Sequence, residues 1–316
     1  MKTAPTFDQI RAQDGLIHIH GHRGARGIIP ENTLESFRFT FDVDVRVIEL
    51  DVLMTADDIP VLTHNPSLLS DMTRDHHGQW LSHEPLVREL SLAELQSYDV
   101  GGLKPGSEYA ARFPEQAFIH GMRIPTLEAL CELVNQPEYA DVFLNLEIKS
   151  NPHHPQATPE PAAYTKKVLE IINKYRMQER TMLQSFDWRV VHESARQAPA
   201  IPRSYLCYSS KPGRDPHEVN VSDNSPWMDG YSLADYDNSL PRLVAAAGGQ
   251  IWAPYHKDLT AQAVAEAREC GLMVNVWTVN ELADIDRMIE LGVDGIITDY
   301  PGRVQRRFMD HGLRWK

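Results

Sequence analysis

Two short segments of the chain carry charged side chains two positions apart. Glu49 and Asp51 share the first segment, and Glu147 and Lys149 share the second. Residues two apart on a β-strand point to the same face, so each pair would project together. Carboxylates buried together repel one another and lose hydration, at a cost of several kcal/mol each. Three of them suit one hard divalent cation, Mg²⁺ or Ca²⁺; a metal-free ion-pair network that includes Arg23 is the alternative.

Histidines follow two other apolar runs. His22 precedes Arg23 after the first run, and His64 ends the run PVLTH. An unperturbed imidazole, with a pKa of ~6.5, both accepts and donates protons near neutrality, so two histidines can serve as general base and general acid. The rigid guanidinium of Arg23 suits a phosphate or a carboxylate. Since the chain has 14 histidines, a surface or structural role is the alternative for either one.

These side chains lie at or near the ends of β-rich runs. Eight such runs cover residues 16–20, 46–52, 142–148, 181–185, 203–207, 250–255, 272–278 and 294–298. Segments with helical spacing separate most of them, several opened by a Thr, Asn or Ser cap. Near-continuously apolar strands that alternate with helices predict the α/β class, as a (β/α)8 TIM barrel; an open doubly wound sheet is the alternative.

In such a barrel the active site lies at the C-terminal ends of the strands. Beyond the residues already named, these ends carry Gln184, Tyr255, His256, Trp277 and Asp299. Polar and aromatic groups therefore gather at one rim of the predicted barrel.

Two long interruptions break the alternation. The first, residues 55–125, lies after the second strand; we expect one domain over residues 1–316 with an insertion subdomain at about 65–124, whose best helix is 89–101. The second, residues 209–231, is rich in Pro, Asp, Asn and Ser and predicts an extended loop.

Composition and charge exclude several classes of protein. The 316 residues have a net charge of −13, so we expect no nucleic-acid partner and no capture by an anionic membrane surface. Three separated cysteines exclude a disulfide framework and a CxxC-type zinc site. No stretch has the ~18 apolar residues of a membrane span, and no signal peptide is evident, so a cytoplasmic location is expected. A homo-oligomer is compatible with the sequence, which leaves the oligomeric state open.

Strings along nearly the whole chain resemble the glycerophosphodiester phosphodiesterase family. In order they are GHRGARGIIPENTLESF, IELDV, PVLTHNPSL, LNLEIK, LQSF, VNVWTVN and DGIITDYP. The combination of HRG, PENT, an E-x-D pair and a further histidine is highly specific. Two positions depart from the family pattern: Asn65 follows the second histidine, where Asp is more frequent, and Leu50 stands where Gly is common.

The resemblance implies a role for each residue that matches a motif. His22 and His64 correspond to the two catalytic histidines, and Arg23 and Lys149 to phosphate-binding cations. The divalent ion is implied on the carboxylates of Glu49, Asp51 and Glu147.

The implied activity is hydrolysis of small glycerophosphodiesters, such as glycerophosphocholine and glycerophosphoethanolamine, in lipid and glycerol metabolism. Trp277 would stack on glycerol or on a choline-type cation, unless it fills the barrel core. Gln184, Tyr255 and Asp299 would contact substrate hydroxyls or support other site residues; rim residues that water satisfies are the alternative. A lysophospholipase D-like hydrolase of acyl-bearing diesters and a catalytically silent binder of phosphorylated ligands are the alternative functions.

Overall fold

The computed structural model describes residues 16–215 and 218–315. Residues 1–15, where a signal peptide would begin, lie outside the described residues, so the expected cytoplasmic location is not tested there. Within the described ranges, no helix combines the length and the apolar character that crossing a bilayer requires.

Eight parallel strands of the described chain close into a barrel. Their order is β1-β2-β4-β5-β6-β7-β8-β9, and β9 pairs back with β1. The bounds are β1 Leu16–His22, β2 Val47–Met54, β4 Phe143–Ile148, β5 Thr181–Ser185, β6 Arg203–Cys207, β7 Ile251–Pro254, β8 Met273–Val276 and β9 Gly295–Thr298. Each overlaps one of the predicted runs, so the (β/α)8 barrel is confirmed and the open sheet is wrong.

Two short strands extend the sheet. β3, Pro60–Leu62, runs antiparallel to β2, and β10, Arg314–Trp315, lies parallel to the start of β1. The antiparallel hairpin of β2 and β3 turns the chain back along β2, and the backbone N–H of Thr63 donates to the carbonyl of Asp51, which places residue 64 close to Asp51.

Helices surround the barrel in the expected alternation. Their bounds are α1 Leu34–Asp42, α2 Leu92–Leu95, α3 Glu108–Arg112, α4 Leu127–Val134, α5 Pro161–Lys174, α6 Trp188–Gln197, α7 Leu240–Ala246, α8 Ala261–Glu269, α9 Leu282–Leu291 and α10 Pro301–Asp310. Most are opened by a Ser, Thr or Asp side chain that accepts a hydrogen bond from the first turn, as at Thr33 of α1 and Thr126 of α4.

The insertion, defined here as residues 65–124, departs from the sequence prediction in its helices. The expected helix 89–101 is reduced to the single turn α2, and the unexpected α3 follows. Asp99 explains the early end, because its backbone pairs with Arg74 and its carboxylate accepts from the backbone N–H groups of Gly101 and Gly121. Tertiary contacts therefore override the helical pattern after residue 95.

The barrel interior changes character from one end to the other. At the N-terminal ends, Val47, Phe143, Met182, Ile251 and Met273 form an apolar floor. On β2, Val47 shares its face with residues 49 and 51, and on β4, Phe143 shares its face with residues 145 and 147. The inward face of each of these two strands is therefore apolar at its N-terminal end and bears charged side chains toward the opposite rim.

Candidate active site

Three carboxylates converge at the ends of β2 and β4. The register pairs Glu49 with Asn145 and Asp51 with Glu147. One oxygen from each of Glu49, Asp51 and Glu147 lies within 4.8 Å of the others, and all three residues are buried. Oδ1 of Asp51 is buried and accepts no hydrogen bond from the described residues, although Nζ of Lys149 lies 3.4 Å away. A hard divalent ion would satisfy this oxygen and offset the mutual repulsion, so the donor set fits Mg²⁺ or Ca²⁺.

Burial and repulsion oppose ionisation of this cluster. Burial, followed by the charges of Asp51 and Glu147, raises the pKa of Glu49 well above its usual value. Burial raises the pKa of Glu147 to about 7, although Lys149 acts in the opposite direction. For Asp51 burial is outweighed, because Arg23 and Lys149 hold its pKa well below the usual range. Protons on Glu49 and Glu147 therefore compete with a metal ion for this cluster.

Lys149 brings a positive charge to the same rim. Its Nζ lies 2.8 Å from Oε1 of Glu147 and 3.4 Å from Oδ1 of Asp51. The side chain remains 17% exposed and lines the cavity above the carboxylates. Its ammonium group can therefore face a substrate anion while it balances part of the acidic charge.

The turn after β1 directs Arg23 toward the carboxylates. Arg23 has φ +52° and Gly24 has φ +85°, both in the left-handed region. A Cβ at Gly24 would lie 2.3 Å from Oγ of Ser36, which explains the glycine of HRG. In this strained turn the backbone N–H of Arg23 donates to Glu49 at 3.2 Å, and its Nε lies 3.1 Å from Oδ2 of Asp51.

In the PENT string that follows, Glu31, Asn32 and Thr33 each have a hydrogen-bond partner that accounts for the residue type. Glu31 accepts from Nη1 of Arg23 at 2.7 Å. Asn32, at φ +53°, donates to Oδ2 of Asp51 at 3.0 Å. The Thr33 side chain caps α1 and its hydroxyl donates to the carbonyl of Pro30. The motif thus anchors the Asp51 carboxylate and the arginine to the start of a helix.

His22 is oriented by a carboxylate from the opposite end of the chain. Its Nδ1 lies 2.6 Å from Oδ1 of Asp299, which follows β9, and its Nε2 lies 3.8 Å from Glu49. Although burial opposes it, Arg26 holds the pKa of Asp299 below its usual value, and Nε of Arg26 lies 2.7 Å from the same oxygen. The ionised Asp299 therefore accepts Nδ1–H and leaves Nε2 of His22 unprotonated, facing the cluster.

Burial also sets the charge state of His22. It lowers the pKa of this imidazole to about 4, with a further contribution from Arg26. His22 is thus neutral near pH 7, as a general base must be.

His64 follows directly after the hairpin of β2 and β3 and lines the same cavity as Glu49 and Glu147. Its Nδ1 lies 3.0 Å from Oδ1 of Asn65, so the residue that departs from the family pattern orients this imidazole. Burial, followed by the charges of Arg23 and Lys149, lowers the pKa of His64 well below its usual value. The structure therefore places both predicted histidines at the acidic cluster.

Two adjoining cavities open above these groups. The first, about 400 Å³, is lined by both histidines, Glu49, Glu147 and Lys149. The second, about 540 Å³, shares His64 and Lys149 with the first and extends over a more apolar wall. Its aromatic side chains are Phe186, Tyr208, Trp227, Tyr255 and Trp277.

Gln184 and Trp277 meet the site in different ways. Nε2 of Gln184 donates to Oε1 of Glu49 at 2.9 Å, so this amide supports a carboxylate as well as lining the first cavity. Trp277 is half-buried and lines both cavities, with its Nε1 fixed to the carbonyl of Ala253 at 2.8 Å. Its ring meets the edge of Phe186 at 5.2 Å between centroids.

Sequence reasoning missed several residues that the structure brings to the site. Arg26 binds Asp299, Asn280 donates to Asp299 at 2.7 Å, and Tyr109 of the insertion donates to Glu31. The GARG and PENT strings around residues 23–33 were a signal for Arg26 and Glu31. Asn280 is the last residue of the VNVWTVN string, which was a signal for it, whereas no local pattern pointed to Tyr109.

Comparison with known proteins identifies the family. Residues 22–303 match the model of the glycerophosphoryl diester phosphodiesterase family. A glycerophosphodiester phosphodiesterase from Caldanaerobacter subterraneus subsp. tengcongensis is 28% identical over 286 residues, which cover 89% of this chain and 93% of the relative.

Solved structures agree with this assignment. A crystal structure from Silicibacter pomeroyi DSS-3, provisionally named a glycerophosphoryl diester phosphodiesterase, is 46% identical with a TM-score of 0.85 over 98% of each chain. An Oleispira antarctica phosphodiesterase in complex with the product sn-glycerol-3-phosphate shares the fold, at 21% identity and a TM-score of 0.68 over 93% of this chain and 96% of that one. The chain therefore belongs to the glycerophosphoryl diester phosphodiesterase family and is a phosphodiesterase with a TIM-barrel fold.

Proposed function

We propose that this phosphodiesterase hydrolyses glycerophosphodiesters, such as glycerophosphocholine and glycerophosphoethanolamine, to glycerol 3-phosphate and an alcohol, with one bound Mg²⁺ or Ca²⁺. The observation that carries the proposal is the convergence of Glu49, Asp51 and Glu147 at a cavity that His22 and His64 both line. The Oleispira relative was solved with glycerol 3-phosphate, which is the product expected here.

The chemistry demands both charge neutralisation and proton transfer. A phosphodiester repels nucleophiles through its negative charge, and its alkoxide is a poor leaving group. A divalent ion held by Glu49, Asp51 and Glu147 would supply Lewis-acid stabilisation of the charge on the phosphoryl oxygens. Lys149 and Arg23 would add fixed positive charge beside the phosphate.

His22 is proposed as the general base. Asp299 holds its Nδ1–H, so Nε2 can accept a proton from the attacking hydroxyl. That hydroxyl is either the 2-hydroxyl of glycerol, which gives a cyclic phosphate that water later opens, or water itself. A cyclic product trapped in a His22 or His64 variant supports the first route, whereas solvent oxygen incorporated in one step without it supports the second.

His64 is proposed as the general acid for the leaving alcohol. It lines both cavities, whereas His22 lines the first one alone, so an alcohol that extends into the second cavity would leave beside His64. A bound phosphodiester adds negative charge next to this imidazole, which favours its protonated form. Trp277, on the wall shared by both cavities, would stack on the substrate, and Gln184 would hold Glu49 in place.

The extent of the domain is part of the proposal. We infer one TIM-barrel phosphodiesterase domain over residues 1–316, with the insertion of residues 65–124 as a small subdomain. Hydrogen bonds from Ala117 to Ile28 and from Tyr109 to Glu31 support this arrangement, because they join the insertion to the turn that carries Arg23.

The decisive experiment measures release of glycerol 3-phosphate from glycerophosphocholine and glycerophosphoethanolamine. The wild-type protein is assayed after chelation and again after addition of Mg²⁺ or Ca²⁺. We expect metal-dependent release that is abolished by His22→Ala and retained by His83→Ala, which removes an exposed histidine of the insertion. No release from either diester by the metal-loaded wild type would contradict the proposal.

A further inference from the structure

Arg112 is an exposed cation that the insertion brings to the first cavity. It is the last residue of α3 and lines the same 400 Å³ space as His22 and Glu147. Several contacts hold this part of the insertion against the turn after β1. Among them, the Tyr109 hydroxyl donates to Glu31, and the side chain of Gln116 donates to the carbonyl of Arg26 at 2.7 Å. Contacts with the barrel therefore position α3, the helix that carries Arg112.

The other cations of this cavity are already bound to carboxylates. Arg23 lies 2.7 Å from Glu31, Arg26 lies 2.7 Å from Asp299, and Lys149 lies 2.8 Å from Glu147. In the part of the chain that the structure describes, Arg112 forms no ion pair with a carboxylate. Its contacts are aromatic.

Two aromatic rings contact the guanidinium of Arg112 without accepting hydrogen bonds from its N–H groups. The guanidinium carbon lies 5.4 Å from the ring centroid of Tyr109 and 5.5 Å from that of Phe113. A guanidinium attracted to ring faces keeps N–H groups free to donate. Arg112 is thus partly ordered by its surroundings and still able to bind an anion.

The charge balance of the site indicates which anion. Among the described residues around the cluster, five buried carboxylates face three cations. The carboxylates are Glu31, Glu49, Asp51, Glu147 and Asp299, and the cations are Arg23, Arg26 and Lys149. With all of them ionised, the excess is two negative charges, which one divalent ion would cancel. With the ion bound this set is neutral overall, so the negative charge of a bound phosphodiester would remain uncompensated in the net balance even where Arg23 and Lys149 contact the phosphate. Two exposed charged residues, Arg112 and Glu218, also line the cavity, and the carboxylate of Glu218 would repel a phosphate.

We propose that Arg112 is a substrate-binding residue whose guanidinium binds the phosphate of the diester. The inference rests on the proposed function, since it takes the phosphodiester as the ligand of the first cavity. It assigns the insertion a direct part in substrate binding. Arg112 of α3 supplies a positive charge that no carboxylate among the described residues balances, whereas Arg23, Arg26 and Lys149 are each paired with one. Because the substrate and the product both carry the phosphate, Arg112 acts mainly on binding and little on the chemical step.

The test measures the affinity of two phosphate ligands for metal-loaded protein by calorimetry. The ligands are glycerol 3-phosphate and inorganic phosphate, with glycerol as the uncharged comparison. The variants are Arg112→Gln, Arg112→Lys and, as a matched control, Arg123→Gln, which removes an exposed charge from the same insertion but outside both cavities.

We expect Arg112→Gln to weaken both phosphate ligands about 10- to 100-fold, the range for loss of a charge-assisted hydrogen bond. Glycerol binding should not change, Arg112→Lys should recover part of the affinity, and Arg123→Gln should match the wild type. With glycerophosphocholine as substrate, KM should rise in Arg112→Gln while kcat changes little.

Unchanged affinity of Arg112→Gln for both phosphate ligands, or a wild type that binds neither of them, would overturn this inference. An equal loss of affinity in Arg123→Gln would do the same, because it would reduce the effect to the net charge of the insertion. A wild type that binds phosphate through Arg112 but releases no glycerol 3-phosphate from the diesters would instead refute the proposed function.

Discussion

At the scale of single residues, the site depends on pairs that are far apart in the chain. His22 and Asp299 meet across the closure of the barrel, where β9 pairs with β1. The two-residue spacing of Glu49 and Asp51 could be read locally because strand periodicity dictates it. The partner of His22 could not, since no spacing rule relates residues 22 and 299. The sequence predicted that Asp299 contacts substrate hydroxyls or supports other site residues, without naming His22 as its partner.

Asp299→Asn tests the role of this carboxylate in orienting His22. The amide cannot hold the Nδ1–H form as an ionised carboxylate does, so we expect kcat to fall about 100- to 10,000-fold. Loss of the negative charge should also lower the pKa of His22 further, which shifts the acidic limb of the pH–rate profile to lower pH. Steady-state kinetics from about pH 3 to 8 measure both effects, because the acidic limb of the wild type lies near the pKa of His22, about 4.

The matched control is Asp286→Asn, which breaks a carboxylate pair with Arg307 on the surface. It should leave kcat and the pH profile unchanged. A full-activity Asp299→Asn enzyme would show that His22 needs no carboxylate for its orientation, and an equal loss in both variants would point to general destabilisation.

At the scale of elements, the barrel strands were predictable and the insertion was not. Each barrel strand is a short apolar run between helices, and this pattern reports burial on both faces. Residues 89–101 show a helical pattern of their own, yet the contacts of Asp99 with Arg74, Gly101 and Gly121 end the helix after one turn. Local pattern fails where a segment obtains its order from other parts of the insertion.

Two helices begin at a threonine cap, and only one of these caps adjoins residues of the site. Thr33 caps α1 directly after Glu31 and Asn32, whereas Thr126 caps α4 away from the cavities. We expect Thr33→Ala and Thr126→Ala each to lower the free energy of unfolding by about 1 kcal/mol, measured by urea denaturation. Thr33→Ala alone should reduce kcat/KM, because it loosens the turn that holds Arg23 and Asp51.

The comparison of the two threonine variants separates stability from function. Equal losses of activity in both would mean that activity follows stability alone. Unaltered activity in Thr33→Ala, with the expected loss of stability, would show that the PENT turn keeps its geometry without the cap.

At the scale of the whole molecule, barrel closure brings charged residues from distant segments of the chain to one rim. The TIM-barrel architecture was predictable because eight strands alternate with helices, and the rim followed from the rule that such barrels bind at the C-terminal strand ends. The balance of charge at the rim was not predictable. It depends on which arginine contacts which carboxylate, as in the pairs of Arg26 with Asp299 and Arg23 with Glu31.

The same excess of negative charge makes global stability depend on pH and on metal. Burial raises the pKa of Glu147 to about 7 from the ordinary 4.5, so the folded, metal-free protein retains a proton that the unfolded chain loses. This contribution to stability is fully present below pH 4.5 and is lost as the pH rises through about 7. His22 acts in the opposite direction, since its pKa is lowered to about 4 and its contribution is lost as the pH falls below 6.5.

Comparing the wild type with Glu147→Gln isolates the contribution of Glu147 to stability, because both proteins contain His22. In thermal denaturation of chelated protein between pH 4.5 and 7.5, the wild type should lose stability relative to Glu147→Gln as the pH rises, whereas the exposed control Glu138→Gln should follow the wild type. Mg²⁺ or Ca²⁺ at 100 times its dissociation constant should add about 2.7 kcal/mol to the wild type, and a given concentration should stabilise more at pH 7.5 than at pH 5, because protons compete for the same oxygens. Parallel pH profiles for wild type and Glu147→Gln, together with equal stabilisation by the ion in both, would mean that Glu147 neither holds the proton nor binds the metal.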